Sequence, residues 1–235
     1  MEDSMKENKS LKAAALILAG GAGTRMGGDK QYMLLGGRPV LERTADVFLQ
    51  SGLFSEIIIA LTPENEKKHG SYWKMRGVKT AAAGSTRTGS LINASAMIES
   101  APDIVAVHDG ARPLVDQETI DECVRTAARK GCCIAAVPVK DTIKTAEEGV
   151  VTATPDRKTL FAVHTPQAFV CREIREAIEK GLKDGFRGTD EASFAEKQGK
   201  KVFIVDSKYD NIKVTTSDDL IIAEALLKKR EEKQE

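Results

Sequence analysis

A short apolar run that ends in a glycine-rich bend constrains this chain more than any other segment. Residues 13–19 are apolar and β-prone, and residues 20–28 are rich in glycine, with Arg25 and Lys30 close by. Glycine lets the backbone take unusual conformations and approach a ligand closely. In such a bend, backbone N–H groups can point at phosphate oxygens, and two cations beside it suit a polyanion. The segment predicts a nucleoside triphosphate site at the edge of a parallel sheet.

A glycine-rich turn can also be only a tight connection, so two known motifs were compared with it. The dinucleotide fingerprint requires a third glycine where this chain has Met26, and an acid after the next strand, which here ends in Thr62 and Pro63. The P-loop requires a lysine where this chain has Asp29. Neither motif is present.

Composition narrows the possible partners. The chain of 235 residues has 35 Lys plus Arg and 35 Asp plus Glu, so it lacks the basic excess typical of a non-specific nucleic-acid binder. Its longest apolar run near the N-terminus, 13–19, is too short to span a bilayer, and residues 1–10 do not resemble a signal peptide. We therefore expect no nucleic acid or membrane partner, a cytoplasmic location, a disordered polar tail at 1–10, and a single domain over 11–235.

The four cysteines indicate the same compartment. They form no Cys-x-x-Cys pair, and no histidine is spaced to complete a zinc site with them. Two of them, Cys132 and Cys133, lie in an apolar run that is typical of a strand. We predict buried, reduced thiols, which are usual in the cytosol.

Apolar runs alternate with helical patterns along the chain. The predicted strands are 13–18, 57–61, 78–83, 104–108, 132–137 and 201–205. The predicted helices are one that starts near Val40 and ends at Gly52, then 87–100, 117–130, 172–181, 190–198 and a last one after Thr216. This alternation predicts an α/β fold, Rossmann-like, with three α/β/α layers and a mostly parallel, twisted sheet. Ligands bind at the carboxyl ends of such strands, where the glycine bend and Asp109 fall.

Helix ends and one irregular segment give further expectations. Thr189 is a candidate N-cap, Thr216 and Asp219 form a capping-box pattern, and the charged end at 228–233 is expected to fray into solvent. Residues 138–158 form a predicted β-hairpin with little apolar surface of its own. Because a lone hairpin is only marginally stable, we expect this protruding arm to pack on a second subunit.

Four clusters beyond the glycine bend carry chemistry-bearing side chains. They are His108–Pro113 at a strand end, Arg157, His164–Gln167, and Asp210–Thr215. Any one of them could be structural when taken alone: an Asp-Gly turn with a surface arginine, histidines with a structural or hydrogen-bonding role, or an exposed lysine in a strand. Their order and spacing are more specific than any one of them.

In this order and spacing, the motifs resemble those of the 2-C-methyl-D-erythritol 4-phosphate cytidylyltransferases of the nucleotidyltransferase superfamily. The resemblance runs from about residue 13 to residue 227. The motifs that carry it are Gly23-Thr-Arg25-Met26, Lys30-Gln-Tyr32, His108-Asp-Gly-Ala-Arg-Pro113, Pro138-Val-Lys-Asp-Thr142, Thr165-Pro-Gln167, Thr189-Asp-Glu-Ala-Ser193 and Asp210-Asn-Ile-Lys-Val-Thr215.

The resemblance implies roles for residues that match these motifs. Arg25 and Lys30 would hold the CTP phosphates, and Lys213 would contact the α-phosphate. The nucleotide-binding positions would be Ala19, Gly20, Gly21, Gly23, Arg87, Ser90, Asp109 and Gly110, with Asp109 also near Mg2+. The sugar-phosphate positions would be Arg112, Arg157, Thr165 and Thr189. The 138–158 arm would embrace a second subunit and form a homodimer.

The resemblance implies cytidylyl transfer from CTP to 2-C-methyl-D-erythritol 4-phosphate, with Mg2+, in the non-mevalonate route to isoprenoid precursors. The nearest alternative is a ribitol-5-phosphate cytidylyltransferase, since the Ala19-Gly20-Gly21 form also occurs there. Asp210-Asn211 and the run 190–193 favour the erythritol enzyme. A second alternative is a nucleotide-binding domain that has lost turnover, although binding alone would not need Arg25, Lys30, Arg157 and Lys213 together.

Overall fold

The computed structural model describes residues 11–21 and 29–233. The strands are β1 Ala13–Ala19, β2 Leu34–Leu35, β3 Arg38–Pro39, β4 Phe54–Leu61, β5 Lys79–Ala82, β6 Ile104–Asp109, β7 Cys132–Pro138, β8 Thr145–Glu147, β9 Val150–Ala153, β10 Phe161–Val170 and β11 Phe203–Asp206. The α-helices are α1 Val40–Gln50, α2 Pro63–Met75, α3 Arg87–Ala96, α4 Gln117–Lys130, α5 Cys171–Lys183, α6 Glu191–Lys197 and α7 Ser217–Glu231. Short 3-10 turns lie at Lys30–Tyr32 and Arg157–Thr159.

A seven-stranded sheet organises the molecule, in the order β11-β7-β10-β6-β1-β4-β5. Strand β1 pairs in parallel with β4 on one side and with β6 on the other. Strand β10 is antiparallel to both of its neighbours, β6 and β7. The chain therefore moves outward from β1 in two directions, and the crevice at that switch point is where α/β proteins bind ligands.

Helices cover both faces of the sheet, which explains why β1 is buried along its whole length. On one face, Leu16 and Val107 pack with side chains of α3, α5 and α6. On the other face, Ile17 and Ile59 pack with side chains of α1, α2 and α4. The predicted α/β class, with three layers and a mostly parallel sheet, is confirmed.

Two helix ends differ from the prediction. Asp190, not Thr189, is the N-cap of α6, and its side chain accepts the N–H of Ser193 at 3.0 Å. Helix α3 ends at Ala96 rather than at residue 100. Its continuation is drawn away because the Glu56 carboxylate, at the start of β4, accepts the backbone N–H groups of Glu99 and Ser100.

The last helix bears out one expectation and contradicts another. The predicted capping box is present, with Thr216 and Asp219 each bonding to the other's backbone. The charged end does not fray, because α7 continues to Glu231 and the guanidinium of Arg230 donates to the Leu114 carbonyl at 2.7 Å and to the Asp210 carboxylate. Arg230 thus helps to attach α7, while the other residues of 228–233 are exposed, as expected.

The arm forms a separate two-stranded sheet of β8 and β9, which is shorter than the predicted hairpin. Every residue of both strands is exposed, including Val150 and Val151. A surface of this kind is consistent with a partner, but the dimer contact stays a prediction.

All four cysteines are buried and free, as predicted. In the described part of the chain, no helix combines the length and apolar character needed to cross a membrane. The cytoplasmic location stays a prediction, and residues 1–10 lie outside the described residues.

Candidate functional site

A cavity of about 460 Å³ opens at the carboxyl ends of β1 and β6, beside the start of α3. This is the edge of the sheet at which the sequence predicts a ligand. The residues that line it are Leu18, Gly20, Gly21, Lys30, Gln31, Gly84, Ser85, Thr86, Arg87, Ser90, Asp109, Ala111 and Lys213.

One wall of the cavity depends on close backbone contact. A side chain at Gly20 would overlap the Ala83 side chain, and a Cβ at Gly84 would lie 2.5 Å from the Gly89 carbonyl carbon. The hydroxyl of Ser90 accepts the Gly84 N–H at 3.0 Å and donates to the Thr86 carbonyl at 3.1 Å. These contacts join the 84–86 loop to the first turn of α3, and the close approach leaves no room for a side chain at Gly20 or Gly84.

Asp109 is the centre of charge in the site. One of its carboxylate oxygens pairs with Arg87, and the other pairs with Lys213 at 2.9 Å and Arg112 at 3.3 Å. Burial alone would raise the pKa of Asp109, but the charges of Arg87, Lys213 and Arg112 outweigh it and hold the pKa well below the usual range. Asp109 is therefore ionised at neutral pH.

Arg87 binds a second carboxylate. Its other terminal nitrogen lies 2.8 Å from the carboxylate of Glu191, which is 2% exposed. Burial would lower the pKa of Arg87, but Glu191 and Asp109 raise it above the usual value. For Glu191 the balance is opposite, because burial raises its pKa more than Arg87 lowers it.

Hydrogen bonds behind Asp109 fix its position. The hydroxyl of Thr165 accepts the Asp109 N–H at 3.0 Å and lies 3.0 Å from Nδ1 of His108. On the other side of the imidazole, Nε2 lies 3.3 Å from the Arg112 carbonyl. Because a carbonyl only accepts, His108 carries its proton on Nε2 and accepts from Thr165 at Nδ1. Burial lowers the pKa of His108 to about 3, so the ring is neutral.

A second set of hydrogen bonds anchors Arg112. Its guanidinium donates to the Asn211 carbonyl at 2.7 Å, and the Asn211 amide donates to the Thr165 carbonyl at 2.9 Å. The strand end at Asp109, the bulge in β10 and the 207–213 loop are thereby joined. This places Lys213 beside Asp109.

The structure brings seven of the predicted positions together around the cavity. They are Gly20, Gly21, Lys30, Arg87, Ser90, Asp109 and Lys213. Gly110 instead packs its backbone against Ala19 and Leu41, Arg112 is buried behind Asp109, and Thr165 binds the Asp109 backbone. Gly23 and Arg25 lie outside the described residues.

Two predicted sugar-phosphate positions lie away from this cavity. Arg157 is exposed on the 3-10 turn that follows the arm, where it donates to the Lys140 carbonyl at 2.7 Å. Thr189 is exposed before α6. Neither lines the cavity.

Sequence reasoning assigned no role to Glu191, Gln31 or Asn211, which are all nearly inaccessible. Acidic residues are common in the first turn of a helix because they favour the helix dipole, so Glu191 is expected on the surface. Its burial, on the same short helix as the buried Ala192 and Phe194, shows only in the structure.

Metal donors are sparse around the cavity. In residues 11–21 and 29–233, no group of three or more His, Cys, Asp or Glu side chains could hold a metal ion. Asp109 is the acidic side chain that lines the described cavity, and it offers hard oxygen atoms of the kind that Mg2+ prefers. The residues present therefore fit a cation that takes most of its ligands from a bound polyphosphate.

The sheet has helices on both faces, and the cavity at its switch point is lined by glycines and by cationic side chains. This is the arrangement of a nucleotidyltransferase. The family model described as 2-C-methyl-D-erythritol 4-phosphate cytidylyltransferase matches residues 13–229. The chain belongs to this family, as its motifs predict.

Similar proteins agree with this assignment. A 2-C-methyl-D-erythritol 4-phosphate cytidylyltransferase of Geotalea uraniireducens is 40% identical over 230 residues, which cover 93% of this chain and 97% of the relative. The crystal structure of 4-diphosphocytidyl-2C-methyl-D-erythritol synthase from Anaerococcus prevotii has a TM-score of 0.84 and 29% identity, covering 93% of this chain and 97% of that one. The 2-C-methyl-D-erythritol 4-phosphate cytidylyltransferase of Thermus thermophilus has a TM-score of 0.79 and 29% identity, covering 92% and 98%.

Proposed function

We propose that this protein transfers the cytidylyl group of CTP to 2-C-methyl-D-erythritol 4-phosphate, giving 4-diphosphocytidyl-2-C-methylerythritol and pyrophosphate. The reaction serves the non-mevalonate route to isoprenoid precursors. The observation that carries this proposal is a glycine-walled cavity lined by Lys30, Arg87 and Lys213, in which Arg87 and Lys213 both pair with the Asp109 carboxylate. Membership of the family over residues 13–229 supports the choice of substrates.

The chemistry needs positioning and charge stabilisation more than proton transfer. A phosphate oxygen of the sugar phosphate forms a bond to the α-phosphorus of CTP, the bond from that phosphorus to the bridging oxygen breaks, and pyrophosphate leaves with the electron pair. Since the attacking oxygen is already an anion, no general base is required. This agrees with the position of His108 and His164, neither of which lines the cavity.

Lys213 is the residue proposed to stabilise charge at the α-phosphate. Its ammonium group pairs with Asp109, 38% of its side chain is exposed, and it lines the cavity. An incoming phosphate can take the place of Asp109 without any change of fold. Lys30 and Arg25 are proposed to hold the remaining phosphates, and Arg25 lies outside the described residues.

The nucleoside is proposed to lie along the backbone wall. Gly20, Gly21 and Ser90 line the cavity, and Ala19 and Gly110 support them from the adjoining strand ends. Gly23 belongs to the same proposed set but lies outside the described residues.

Mg2+ is the proposed cofactor, with Asp109 as its protein ligand. The ion would neutralise phosphate charge and orient the triphosphate, as it does in phosphoryl transfer generally. Asp109 can supply an oxygen once Lys213 has moved to the phosphate.

The sugar phosphate is proposed to bind at Arg112, Thr165, Thr189 and Arg157, the last supplied by a second subunit. Arg157 is exposed, follows the exposed arm, and does not line the cavity of its own chain. A homodimer formed through the 138–158 arm would bring it to the partner's cavity. Arginine suits the task because its planar fork binds phosphate through two nitrogens.

Pyrophosphate release tests the proposal. CTP and Mg2+ are supplied with methylerythritol phosphate, and in a parallel reaction with ribitol 5-phosphate. We expect turnover with the first and little with the second. Turnover with ribitol 5-phosphate alone would overturn the substrate assignment, and activity with neither would favour a binding domain.

A further inference from the structure

Glu191 is a buried acid that adjoins the cavity without lining it. Its carboxylate lies 2.8 Å from Arg87, and the other terminal nitrogen of that guanidinium pairs with Asp109. Arg87 does line the cavity, and 29% of its side chain is exposed. Part of the Arg87 side chain is therefore accessible at the cavity, while its two terminal nitrogens are held by different carboxylates.

The backbone of Glu191 is fixed independently of Arg87. On β10, the Gln167 amide donates to the Asp190 carboxylate at 2.7 Å and accepts the Ala192 N–H at 3.0 Å. Phe194, one turn further along α6, is buried in the core. Gln167 thus holds the residues on either side of Glu191, so this carboxylate is a rigid anchor and not a mobile partner of Arg87.

Stability is a weak explanation for this pair. Burying two opposite charges costs desolvation that their attraction often fails to offset. Orientation is a better explanation, because a polyanion in the cavity attracts Arg87 as well as Lys213. If Asp109 were the only partner of Arg87, both cations would be drawn to the phosphates together.

We propose that Glu191 is a positioning residue for nucleotide binding, which holds Arg87 in a fixed orientation at the cavity while Lys213 exchanges Asp109 for phosphate. This inference rests on the proposed function for the nature of the ligand. Glu191 acts only through Arg87 and touches neither substrate.

Steady-state kinetics and calorimetry of Glu191→Gln test the proposal. The variant keeps the shape of the side chain and loses its charge. We expect KM for CTP and the CTP dissociation constant to rise about tenfold or more, since charged hydrogen bonds of this kind are worth at least that factor. We expect kcat and KM for the sugar phosphate to stay within about threefold of wild type.

A double variant separates positioning from general damage. If Glu191 acts through Arg87, then Arg87→Ala with Glu191→Gln binds CTP no more weakly than Arg87→Ala alone, because the second change has nothing left to disturb. The proposal would be overturned if the double variant bound CTP more weakly than Arg87→Ala alone. It would also be overturned if Glu191→Gln bound CTP like wild type.

Glu56→Gln is the matched control. Glu56 is also a largely buried glutamate, paired with Lys79 at 2.9 Å, but it lies at the opposite end of the sheet. Its loss is expected to lower thermal stability and leave KM for CTP unchanged. A rise in KM in this variant would mean that destabilisation alone explains the Glu191 result.

Arg87→Lys keeps the test decisive if Glu191→Gln does not fold. Lysine retains the charge but cannot reach two carboxylates with a planar fork. We expect the same weakened CTP binding, and unchanged binding would overturn the proposal. Calorimetry also distinguishes the two hypotheses: wild type that binds CTP but turns over neither sugar phosphate contradicts the proposed function, while the Glu191 comparison still holds.

Discussion

Asp109 keeps a negative charge in a nearly inaccessible position because three cations surround it. At the scale of single residues, Lys213 differs from the other two cations in the number of its partners. Arg87 is also held by Glu191 and Arg112 by the Asn211 carbonyl, whereas Asp109 is the one partner that the described contacts give Lys213. Lys213 is therefore the cation that can transfer most easily to a substrate phosphate.

Lys213→Ala is expected to keep the fold and lose most of the rate. Removing one preorganised charge donor from a transition state typically costs about 100- to 1000-fold in kcat. Pyrophosphate release measures the loss, and circular dichroism checks the fold. Lys208→Ala is the matched control, because Lys208 lies in the same loop and pairs with Asp116 and Glu118 outside the cavity. Activity of Lys213→Ala within a few-fold of wild type would remove it from the mechanism.

The buried histidine predicts how stability depends on pH. The pKa of His108 falls from 6.5 to about 3 on folding, so below about pH 6.5 the unfolded chain binds a proton that the native protein does not. The free energy of unfolding should therefore decrease as the pH falls, by about 1.4 kcal/mol per pH unit for this one group.

Urea unfolding between about pH 6.5 and pH 5 measures this slope. His108→Gln should make it shallower, whatever the variant costs in absolute stability. His164→Gln should act in the same direction, because burial lowers the pKa of His164 to about 4. Equal slopes in wild type and His108→Gln would show that His108 is not held neutral.

At the scale of elements, β10 connects the arm to the site. It begins at Phe161, just after the 3-10 turn that carries Arg157, passes the site at Thr165, and ends in the core at Val170. Its register with β7 shifts between Val163 and Gln167, and this irregular stretch contains Thr165, which bonds the Asp109 backbone. The arm is thus continuous with the strand that supports the site.

Mixed dimers test whether the arm serves the partner's site. Homodimers of Arg157→Ala and of Lys213→Ala should each be nearly inactive. If one site takes Lys213 from one chain and Arg157 from the other, a mixed dimer regains one intact site of two. With half of the randomly remixed dimers in the mixed form, about a quarter of wild-type activity should return. No recovery after verified subunit exchange would mean that both residues serve a site of the same chain.

The sequence predicts the buried parallel strands well, because their apolar runs are strong signals. It misses β10, where His164, Thr165, Pro166 and Gln167 interrupt the apolar pattern. Those polar groups are satisfied by partners distant in sequence, such as Asp109 and Asp190. It also misses α2, which is largely polar, although Thr62 and Pro63 are a standard helix start. The hairpin arm is predicted because two short β-prone stretches flank the Glu148-Gly149 turn, yet nothing local in the sequence indicates what covers it.

The candidate site could likewise be predicted from the sequence only in part. Glycines and cations at strand ends are visible in the sequence, and seven predicted positions meet at the cavity. The residues that hold them are not visible, because Glu191 and Asn211 acquire their importance only from burial beside Arg87 and Arg112. Arg112 and Arg230 both make contacts that the sequence does not indicate: Arg112 is buried behind Asp109, and its substrate role stays a prediction, while Arg230 was expected in solvent and is bonded to Leu114.

At the scale of the whole molecule, turnover should require a divalent cation. The described residues contain no cluster of metal ligands, and Asp109 alone offers a carboxylate to the cavity, so the ion is expected to arrive with the nucleotide. EDTA should abolish pyrophosphate release and added Mg2+ should restore it. Full activity in metal-free buffer, or metal held tightly by the nucleotide-free protein, would contradict this prediction.

The charges behind the cavity also affect the protein as a whole. Arg87, Arg112 and Lys213 are held together by two carboxylates, so one positive charge is left over in this group. Burial, together with the charge of Arg87, lowers the pKa of Arg112 by more than Asp109 raises it. Any anion that enters relieves this repulsion, and one that binds the native state alone raises its stability. The melting temperature should therefore depend on the phosphate compounds in solution. Pyrophosphate, the product, should raise it even when no sugar phosphate is present. A phosphate buffer should also raise it, so that the measured stability exceeds that of the protein alone.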